Sequence, residues 1–285
     1  MLSYLHVDVF APHAYAGNSL PVFLDSAGLN ADQMQTITRE LRHFEAIFLE
    51  AAADARTYCA RVFDLIEELP FAGHPIIGAA AALHETAERE EDQRWTFNLA
   101  DKSVTVVTQR NGSGYFGLLD QGPAQFFGEV ATSDEIAAAF GLSFADLDPT
   151  LPPAVISTGL RYLIVPVGPQ VLARARIKAD ISGFLAARGA QFAVLFDRTA
   201  CEIRHWNNDG IIEDIATGSA AGTIGAYCLR YCGAQSGKAF TLNQGRFAGR
   251  PSELIVEPHG APDNVTSVKV GGKVAIVGHG VMVAP

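Results

Sequence analysis

The sequence contains the same short arrangement twice, and the two copies lie about half of its 285 residues apart. Each copy runs from a strand-like segment through a pair of acidic residues to a glycine turn and an Ala-rich stretch. The turn glycines are Gly73 and Gly218. Internal similarity at this distance predicts a duplicated domain with a weak twofold relation between the copies. The alternative is that two helix starts resemble each other by coincidence.

Short runs of apolar residues, several of them alternating with polar ones, occur along the whole chain and are typical of β-strands. Helical patterns are fewer, and they cover residues 32–41, 75–87, 133–140, 181–187 and the Ala-rich stretch after Gly218. Asn30 is a candidate N-cap for the first helix. This mixture favours an α+β fold with curved, largely antiparallel sheets over a doubly wound parallel fold. Residues 16–19 are predicted as a turn, and 267–270 and 273–277 as two short strands separated by another turn.

The chain carries 21 Lys and Arg residues against 31 Asp and Glu residues, a net charge of −10. Such a chain lacks the basic face that a general nucleic-acid binder needs, and it does not suit docking on an anionic membrane. The most apolar stretches, 69–83 and 215–229, are too short to span a bilayer and predict buried helices. The four cysteines and eight histidines lack metal-ligand spacing, so we expect no metal site. Few cysteines and no basic leader predict a cytoplasmic protein with reduced, buried thiols.

The two glycine turns predict backbone that binds an anion. The first N–H groups of a helix have no intrahelical partner and carry partial positive charge, and a glycine lets a ligand approach them closely. Gly73-His74 and Thr217-Gly218-Ser219 should therefore each form a small nest for a carboxylate or a phosphate. Neither turn carries the glycine pattern of a phosphate loop or of a dinucleotide-binding site.

Three ionisable residues are candidates for acid/base chemistry. Glu45 lies among large apolar residues, and partial burial disfavours the charged form of an acid, as suits a group that takes up and returns a proton. His74 stands at a helix start, where a neutral imidazole is favoured. Asp214 shortly precedes the second glycine turn. From the pattern alone each residue has a structural alternative. Glu45 is then an outward-facing strand acid, His74 a hydrogen-bonded structural histidine, and Asp214 an acid that stabilises a helix N-terminus.

At these residues the chain resembles the phenazine-biosynthesis isomerase family, often called PhzF-like, which shares the diaminopimelate epimerase fold. The resemblance rests on ordered motifs that run nearly end to end. They are Asp8-Val9-Phe10 with Ala16-Gly17-Asn18, the segment around Glu45, Glu68 to Pro75, Ser157 to Leu160, Glu213 to Gly222, Gln244-Gly245 with 249–252, and 270–272.

The resemblance implies two like domains, each a curved, mostly antiparallel sheet or barrel wrapped around a central helix, with the active site between them. We expect an N-terminal domain over residues 1–120 and a C-terminal domain over 121–285, with the last strand able to return to the N-terminal domain. The resemblance also implies an enzyme without a cofactor, which acts on a small-molecule carboxylate and forms a homodimer.

The resemblance further assigns roles to individual residues. Glu45 is similar to the proton-shuttling acid of the family, and Asp214 and His74 are similar to the catalytic partners that contact the substrate. The substrate-binding positions of the family match Gly73, His74, Thr217, Gly218 and Ser219.

Amino-acid epimerases of this fold use two cysteines, one just before each turn glycine, where this chain has Ala72 and Thr217. Racemisation by two thiols is therefore not available to it, whereas one carboxylic acid can move a proton between two carbons on the same face. The chain departs from the family at Ile215, where proline is usual, and at 64–65 and 207–208. These departures bear on the identity of the substrate more than on the chemistry.

Together these expectations describe a cofactor-independent isomerase that moves a proton within a small, carboxylated, cyclic, amino-acid-like substrate, similar to trans-2,3-dihydro-3-hydroxyanthranilate isomerase. Two alternatives stay open from the sequence. One is an epimerase or racemase whose bases are not thiols. The other is a member of the fold that binds a small molecule or a protein without catalysis.

Overall fold

A computed structural model describes residues 1–100 and 102–285 of the chain. The contacts between residues divide it into two compact units. The first unit comprises Met1–Asp120 together with Gly271–Pro285, and the second comprises Gln121–Val270. The C-terminal residues are therefore part of the same unit as the N-terminus.

Before residue 121, the described residues of the first unit form eight strands and two helices. They are β1 (Leu2–Val9), β2 (Asn18–Phe23), α1 (Ala31–Leu41), β3 (Glu45–Ala51), β4 (Thr57–Asp64), β5 (Glu68–Leu69), α2 (Gly73–Ala87), β6 (Gln93–Asn98), β7 (Ser103–Asn111) and β8 (Gly114–Asp120).

The second unit continues the chain with the same kind of elements. They are β9 (Gln125–Glu129), α3 (Asp134–Ala139), β10 (Ala154–Ser157), β11 (Arg161–Val167), α4 (Ser182–Ala186), β12 (Phe192–Asp197), β13 (Glu202–Trp206), β14 (Glu213–Asp214), α5 (Gly218–Tyr231), β15 (Phe240–Gln244), β16 (Ser252–Ala261) and β17 (Asn264–Met282). Strand β17 begins in the second unit and ends in the first.

The strands of the first unit pair into a closed ring. The order is β17, β1, β2, β3, β4, β6, β7 and β8, and β8 pairs in turn with β17. The β2–β3 and β4–β6 pairs are parallel, and α1 and α2 make the long connections that parallel pairs require. The β17–β1, β1–β2, β3–β4, β6–β7 and β7–β8 pairs are antiparallel. The unit is therefore a mostly antiparallel barrel.

Helix α2 fills the interior of this ring, because it contacts β1, β2, β3, β6, β7 and β8. Its residues from Gly73 to His84 are all buried. Small residues make this fit possible: a Cβ added at Gly78 would lie 2.6 Å from Leu20 Cδ2 and 2.9 Å from Val9 Cγ2. Such distances are shorter than real Cβ contacts. The Ala- and Gly-rich pattern thus encodes a helix that is enclosed by a sheet.

The second unit repeats this strand order. Pairs run from β9 through β10, β11, β12, β13 and β15 to β16. The β11–β12 and β13–β15 pairs are parallel, at the same steps as the parallel pairs of the first unit. Helix α5 is buried from Gly218 to Leu229 and contacts β10, β11 and β16. The predicted fold of two similar α+β domains, each with a central helix, is confirmed.

Helices also cover outer faces of the strands. Helix α1 buries Met34 and Ile37 against Phe23 and Phe48. Asn30 caps it, and Asn30 and Gln33 form a reciprocal capping box, as the sequence indicates. None of the helices in the described part of the chain is long and apolar enough to cross a membrane.

Several details of the sequence-based prediction are wrong. The two strands predicted at 267–270 and 273–277 are one continuous strand, β17. A Cβ at Gly271 would overlap the carbonyl oxygen of Gly117, so this glycine permits close approach of two strands and does not make a turn. The turn predicted at 16–19 ends at Gly17, because β2 begins at Asn18. Strands β5, β6, β9 and β14 are absent from the sequence-based prediction. The expectation of buried thiols is also wrong for Cys59, which is exposed because it lies on an outward-facing position of β4.

The packing of α2 predicts that Gly78→Ala lowers the free energy of unfolding by about 1–3 kcal/mol, because the new methyl group overpacks the barrel interior. Urea unfolding measures this change. Gly183→Ala in α4 is the matched control, since a Cβ there meets open space. We expect it to be neutral or to stabilise by up to about 1 kcal/mol. Equal stability of Gly78→Ala and the wild type would contradict the conclusion that α2 is tightly enclosed by the barrel.

Candidate active site

The acid predicted to move the proton lies at the start of β3 in the first unit. Glu45 is only 6% exposed, and Ala46, Ile47 and Phe48 after it are buried. It stands opposite Asp64 of β4 in the antiparallel pair. Burial rules out the alternative of an outward-facing strand acid.

The imidazole of His74 lies beside this acid. His74 Nδ1 is 3.4 Å from Glu45 Oε2, and both side chains are buried. The same Nδ1 is 3.4 Å from the Asn18 amide nitrogen. Because Nδ1 can either donate or accept, it can receive a proton from Glu45 or give one to it after a small approach of the two groups. The first unit therefore brings Glu45, His74 and Asn18 together at the start of α2.

Helix α2 begins at Gly73 after Ala72, which has extended backbone angles and no polar side chain to cap the helix. The N-terminal turn of α2 carries partial positive charge and donor N–H groups. Glu45 and His74 thus lie next to backbone that favours an anion. This backbone can therefore bind a carboxylate or a phosphate.

The second unit has the corresponding helix start at Gly218, preceded by Asp214 and Thr217. Asp214 is buried, and its Oδ2 accepts a 2.6 Å hydrogen bond from the Thr217 hydroxyl. Gln244 fixes both residues: its Nε2 donates to the Asp214 carbonyl at 2.8 Å and to Thr217 Oγ1 at 2.9 Å, and its Oε1 accepts from Thr217 N–H at 2.8 Å. These bonds hold the Asp214 carboxylate in one orientation at the helix start.

Ser219 follows Gly218, and its hydroxyl lies beside the phenol of Tyr162. Its Oγ is 2.8 Å from the Tyr162 hydroxyl, and Ser219 is buried. The Tyr162 ring packs edge-on against His205. Burial lowers the pKa of His205, which favours the neutral ring, and the ring donates from Nδ1 to the Ala193 carbonyl at 2.8 Å. The Ser219 hydroxyl is therefore oriented by a rigid aromatic neighbour.

In each unit, a bidentate ion pair joins the short strand before the helix start to the neighbouring strand of the main sheet. In the first unit Arg61 donates from Nε and Nη2 to the two oxygens of Glu68, at 2.7 and 2.6 Å. In the second unit Arg204 donates in the same way to Glu213, at 2.8 and 2.6 Å. Arg204 also donates to the Leu172 carbonyl. The two acids lie in β5 and β14, so each pair ties the chain just before the turn to the main sheet.

The duplicated positions carry different chemistry in the two units. The last residue before the turn glycine is Ala72 in one and Thr217 in the other, and the residue after it is His74 in one and Ser219 in the other. Asp214 occupies the position that Leu69 holds in the first unit. One unit therefore holds the candidate proton-transfer pair, and the other holds an anchored carboxylate and two hydroxyls.

Sequence reasoning assigned no role to Asn18, Tyr162 or Gln244. Asn18 and Gln244 belong to motifs that carry the family resemblance, which was the available signal for them. Tyr162 had no such signal, because its contact with Ser219 depends on the pairing of β11 within the sheet.

Among residues 1–100 and 102–285, no three His, Cys, Asp or Glu side chains lie close enough together to hold a metal ion.

Comparison with known proteins connects this geometry to a family. The family model described as phenazine biosynthesis-like protein matches residues 7–280. The chain belongs to the phenazine biosynthesis-like family. The resemblance inferred from the motifs is thereby confirmed.

Named relatives of the chain are isomerases. The trans-2,3-dihydro-3-hydroxyanthranilate isomerase of Pseudomonas chlororaphis is 30% identical over 290 residues, which cover 99% of this chain and 100% of that protein. The enzyme of the same name from Pseudomonas aeruginosa is also 30% identical over 290 residues, with 98% and 99% covered. The prediction that the chain is an isomerase of this family is confirmed.

Solved structures share its fold. A protein from Pseudomonas aeruginosa described as a predicted epimerase superimposes with a TM-score of 0.94 at 45% identity and covers 100% of both chains. A phenazine biosynthesis protein of the PhzF family from Bacillus anthracis gives 0.86 at 25% identity, with 99% of both chains covered. A hydroxyproline epimerase from Agrobacterium vitis gives 0.66 at 16% identity, covering 98% of this chain and 91% of that one, a likeness of fold alone. The epimerase-like fold that the family resemblance implies for this chain is confirmed.

The two Arg–Glu ion pairs before the helix starts predict that removing the acid costs more stability in the second unit than in the first. In Glu213→Gln the Arg204 guanidinium, which is 4% exposed, loses its counter-charge, so we expect the free energy of unfolding to fall by about 3 kcal/mol. Glu68→Gln is the matched control, because Arg61 and Glu68 are 37% and 39% exposed, and it should cost less than about 1 kcal/mol. Chemical unfolding of both variants measures the difference. Equal losses in the two variants would show that burial does not decide the strength of these pairs.

Proposed function

We propose that the chain is a cofactor-independent isomerase that moves a proton within a small, carboxylated, cyclic, amino-acid-like substrate. The observation that carries this proposal is the buried Glu45 carboxyl 3.4 Å from His74 Nδ1, beside the N-terminus of α2. The relatives named trans-2,3-dihydro-3-hydroxyanthranilate isomerase support a substrate of this class. We take that compound as the first one to test.

In the proposed reaction, the Glu45 carboxylate removes a proton from one carbon of the substrate. The electrons of the broken C–H bond move into the adjacent double-bond system, and the protonated Glu45 then delivers the proton to another carbon on the same face. One acid serves both steps, so proton and charge balance without a second base. Tuned acid/base catalysis of this kind contributes roughly 10²- to 10⁴-fold in rate.

His74 is proposed to support Glu45 through its Nδ1. A ring whose Nδ1 is unprotonated can accept a hydrogen bond from the carboxylic acid, and a ring protonated at Nδ1 can donate one to the carboxylate. Asn18 on the same nitrogen limits the movement of the ring. Because both side chains are buried, less solvent has to reorganise when the proton moves than it would in water.

The second unit is proposed to recognise the polar groups of the substrate. Asp214 is held by Thr217 and Gln244 and offers negative charge to an amine or a hydroxyl. Ser219 and the turn at Gly218 offer donors to a carboxylate. The sequence-based expectation that one ligand contacts residues of both units stays a prediction, and variants of each unit test it separately.

A stereochemical inversion of the usual kind for this fold would need a thiol before each turn glycine. Ala72 and Thr217 occupy those positions, and the Thr217 hydroxyl is bonded to Asp214. The chemistry of these residues therefore favours transfer on one face over inversion. Inverted product would point to an epimerase whose bases are not thiols, and the proposal would then be wrong.

We expect Glu45→Gln to lower turnover of trans-2,3-dihydro-3-hydroxyanthranilate by about 10²- to 10⁴-fold, because the amide cannot carry the proton. Turnover and deuterium uptake from heavy water are followed by NMR. Glu50→Gln is the matched control, since Glu50 lies on the same strand but is exposed, and it should keep wild-type turnover. Wild-type turnover and exchange in Glu45→Gln would refute the role of Glu45.

Thr217→Val keeps the shape of residue 217 but removes the hydroxyl that anchors Asp214. A hydrogen bond to a charged group is worth about 1.5–3 kcal/mol, so kcat/KM should fall by roughly tenfold to a hundredfold. Thr217→Ser restores the hydroxyl and should recover most of the activity. Steady-state kinetics of the two variants measure this. Equal activity of Thr217→Val and Thr217→Ser would show that the orientation of Asp214 does not matter for the reaction.

A further inference from the structure

A serine hydroxyl of the first unit lies between two imidazole rings. Ser19 Oγ is 2.6 Å from His6 Nε2 and 2.9 Å from His43 Nδ1. The two rings also contact each other edge-on, with their centroids 4.9 Å apart. We call these three residues the Ser19 cluster. None of them has a part in the proton transfer proposed for the chain.

One hydroxyl can satisfy both rings of the Ser19 cluster. A serine hydroxyl donates one hydrogen bond and accepts up to two, and a neutral imidazole has one donor and one acceptor nitrogen. Ser19 can therefore donate to one ring nitrogen while it accepts from the other. His6 lies on β1, Ser19 on β2, and His43 in the connection that leads into β3. The cluster thus joins three consecutive segments of the barrel.

Strand β2 connects the Ser19 cluster to the candidate active site. Asn18 and Ser19 are the first two residues of this strand, and successive side chains of a strand point to opposite faces. Asn18 faces the interior helix α2, where its amide nitrogen is 3.4 Å from His74 Nδ1. Ser19 therefore points to the outer face of the barrel. The contacts of the two residues hold the start of β2 from both sides.

His43 connects the Ser19 cluster to the proposed proton carrier. It lies in the short connection between α1 and β3, two residues before Glu45. The parallel ladder between β2 and β3 pairs residues further along both strands, such as Val22 with Ile47. The Ser19–His43 hydrogen bond joins the same two segments nearer to Glu45.

We propose that the Ser19 cluster is a positioning device for the proton-transfer pair, with Ser19 and His43 as its positioning residues. The proposal rests on the proposed function, in which Glu45 carries the proton. His74 Nδ1 lies 3.4 Å from Glu45 Oε2 and 3.4 Å from the Asn18 amide nitrogen. The cluster fixes the segment that carries Asn18 against the segment that carries Glu45, and it thereby sets the distance over which the pair exchanges a proton.

The proposed role predicts an effect on turnover and not on substrate binding. A displacement of about 1 Å at reacting groups can cost roughly a hundredfold in rate. Without the cross-link, the two segments can separate at the end where Glu45 and His74 lie. The groups proposed to recognise the substrate lie in the second unit, so KM should change little.

The first test compares Ser19→Ala with Ser19→Thr, which restores the hydroxyl. With trans-2,3-dihydro-3-hydroxyanthranilate as substrate, we expect Ser19→Ala to lower kcat roughly tenfold to a hundredfold and to change KM by less than about twofold. Ser19→Thr should recover most of the kcat. Ser3→Ala is the matched control, because Ser3 is an exposed serine on the adjacent strand β1, and it should keep wild-type kinetics.

A second pair of variants tests the cluster from another residue. His43→Asn places an amide near the position of Nδ1 and should keep most of the kcat, whereas His43→Leu should lose about as much as Ser19→Ala. Circular dichroism shows which variants are folded. Because the two pairs change different residues, a folding failure in one pair leaves the other to decide.

A spectroscopic readout tests the same role without turnover. NMR of protein with isotopically labelled histidine reports the hydrogen bonding of the His74 ring nitrogens, and His74→Gln assigns the signal. We expect the His74 Nδ1 resonance to move in Ser19→Ala and in His43→Leu, because the groups around it shift. It should keep its wild-type position in Ser3→Ala and return towards that position in Ser19→Thr.

Three results would overturn the proposal. One is wild-type kcat in both Ser19→Ala and His43→Leu. Another is a raised KM with unchanged kcat, which would assign the cluster to substrate binding. The third is a His74 resonance that moves in neither variant. If the wild type does not convert the compound, the proposed function fails on that substrate, and the His74 resonance alone decides whether the cluster positions the pair.

Discussion

The constraint on which the rest of the structure depends is the enclosure of a helix of small residues by a sheet. Gly78 in α2 and Gly225 in α5 both face strand side chains at distances that leave no space for a Cβ. Because each helix is surrounded by strands, its N-terminus is held at a fixed place in its unit. The N-terminus of a helix favours anions, so the packing requirement and the binding chemistry come from the same segment of chain.

The two similar units supply two such helix starts, and the residues around them differ in chemistry. In the first unit, the buried Glu45 and His74 form a pair that can exchange a proton. In the second unit, the carboxylate of Asp214 accepts from the Thr217 hydroxyl, and Gln244 donates to that hydroxyl and to the Asp214 backbone carbonyl, so the carboxylate is held in an orientation that suits contact with a ligand. The Arg–Glu pairs before the two turns are the same in both units. The supporting framework is therefore alike in the two units, while the groups at the helix starts differ.

Much of this was available from the sequence because it depends on local pattern. The repeated turns, the Ala-rich helices, the Asn30 cap and the family motifs around Glu45 are all short-range signals. What escaped prediction depends on partners far along the chain. Strand β17 is continuous because Gly271 packs against Gly117 of β8, and Gln244 reaches Asp214 only because β15 pairs with β13. Tyr162 meets Ser219 for the same kind of reason. Periodicity cannot reveal such contacts.

The central claim is that one buried acid carries a proton between two carbons on one face of the substrate. The most direct measurement is a single turnover of substrate that is deuterated at the donor carbon, with the position and configuration of the label in the product read by NMR. The account predicts that part of the deuterium is recovered at a different carbon on the same face. A product in which the donor carbon has inverted its configuration and has lost all of its deuterium would contradict the account.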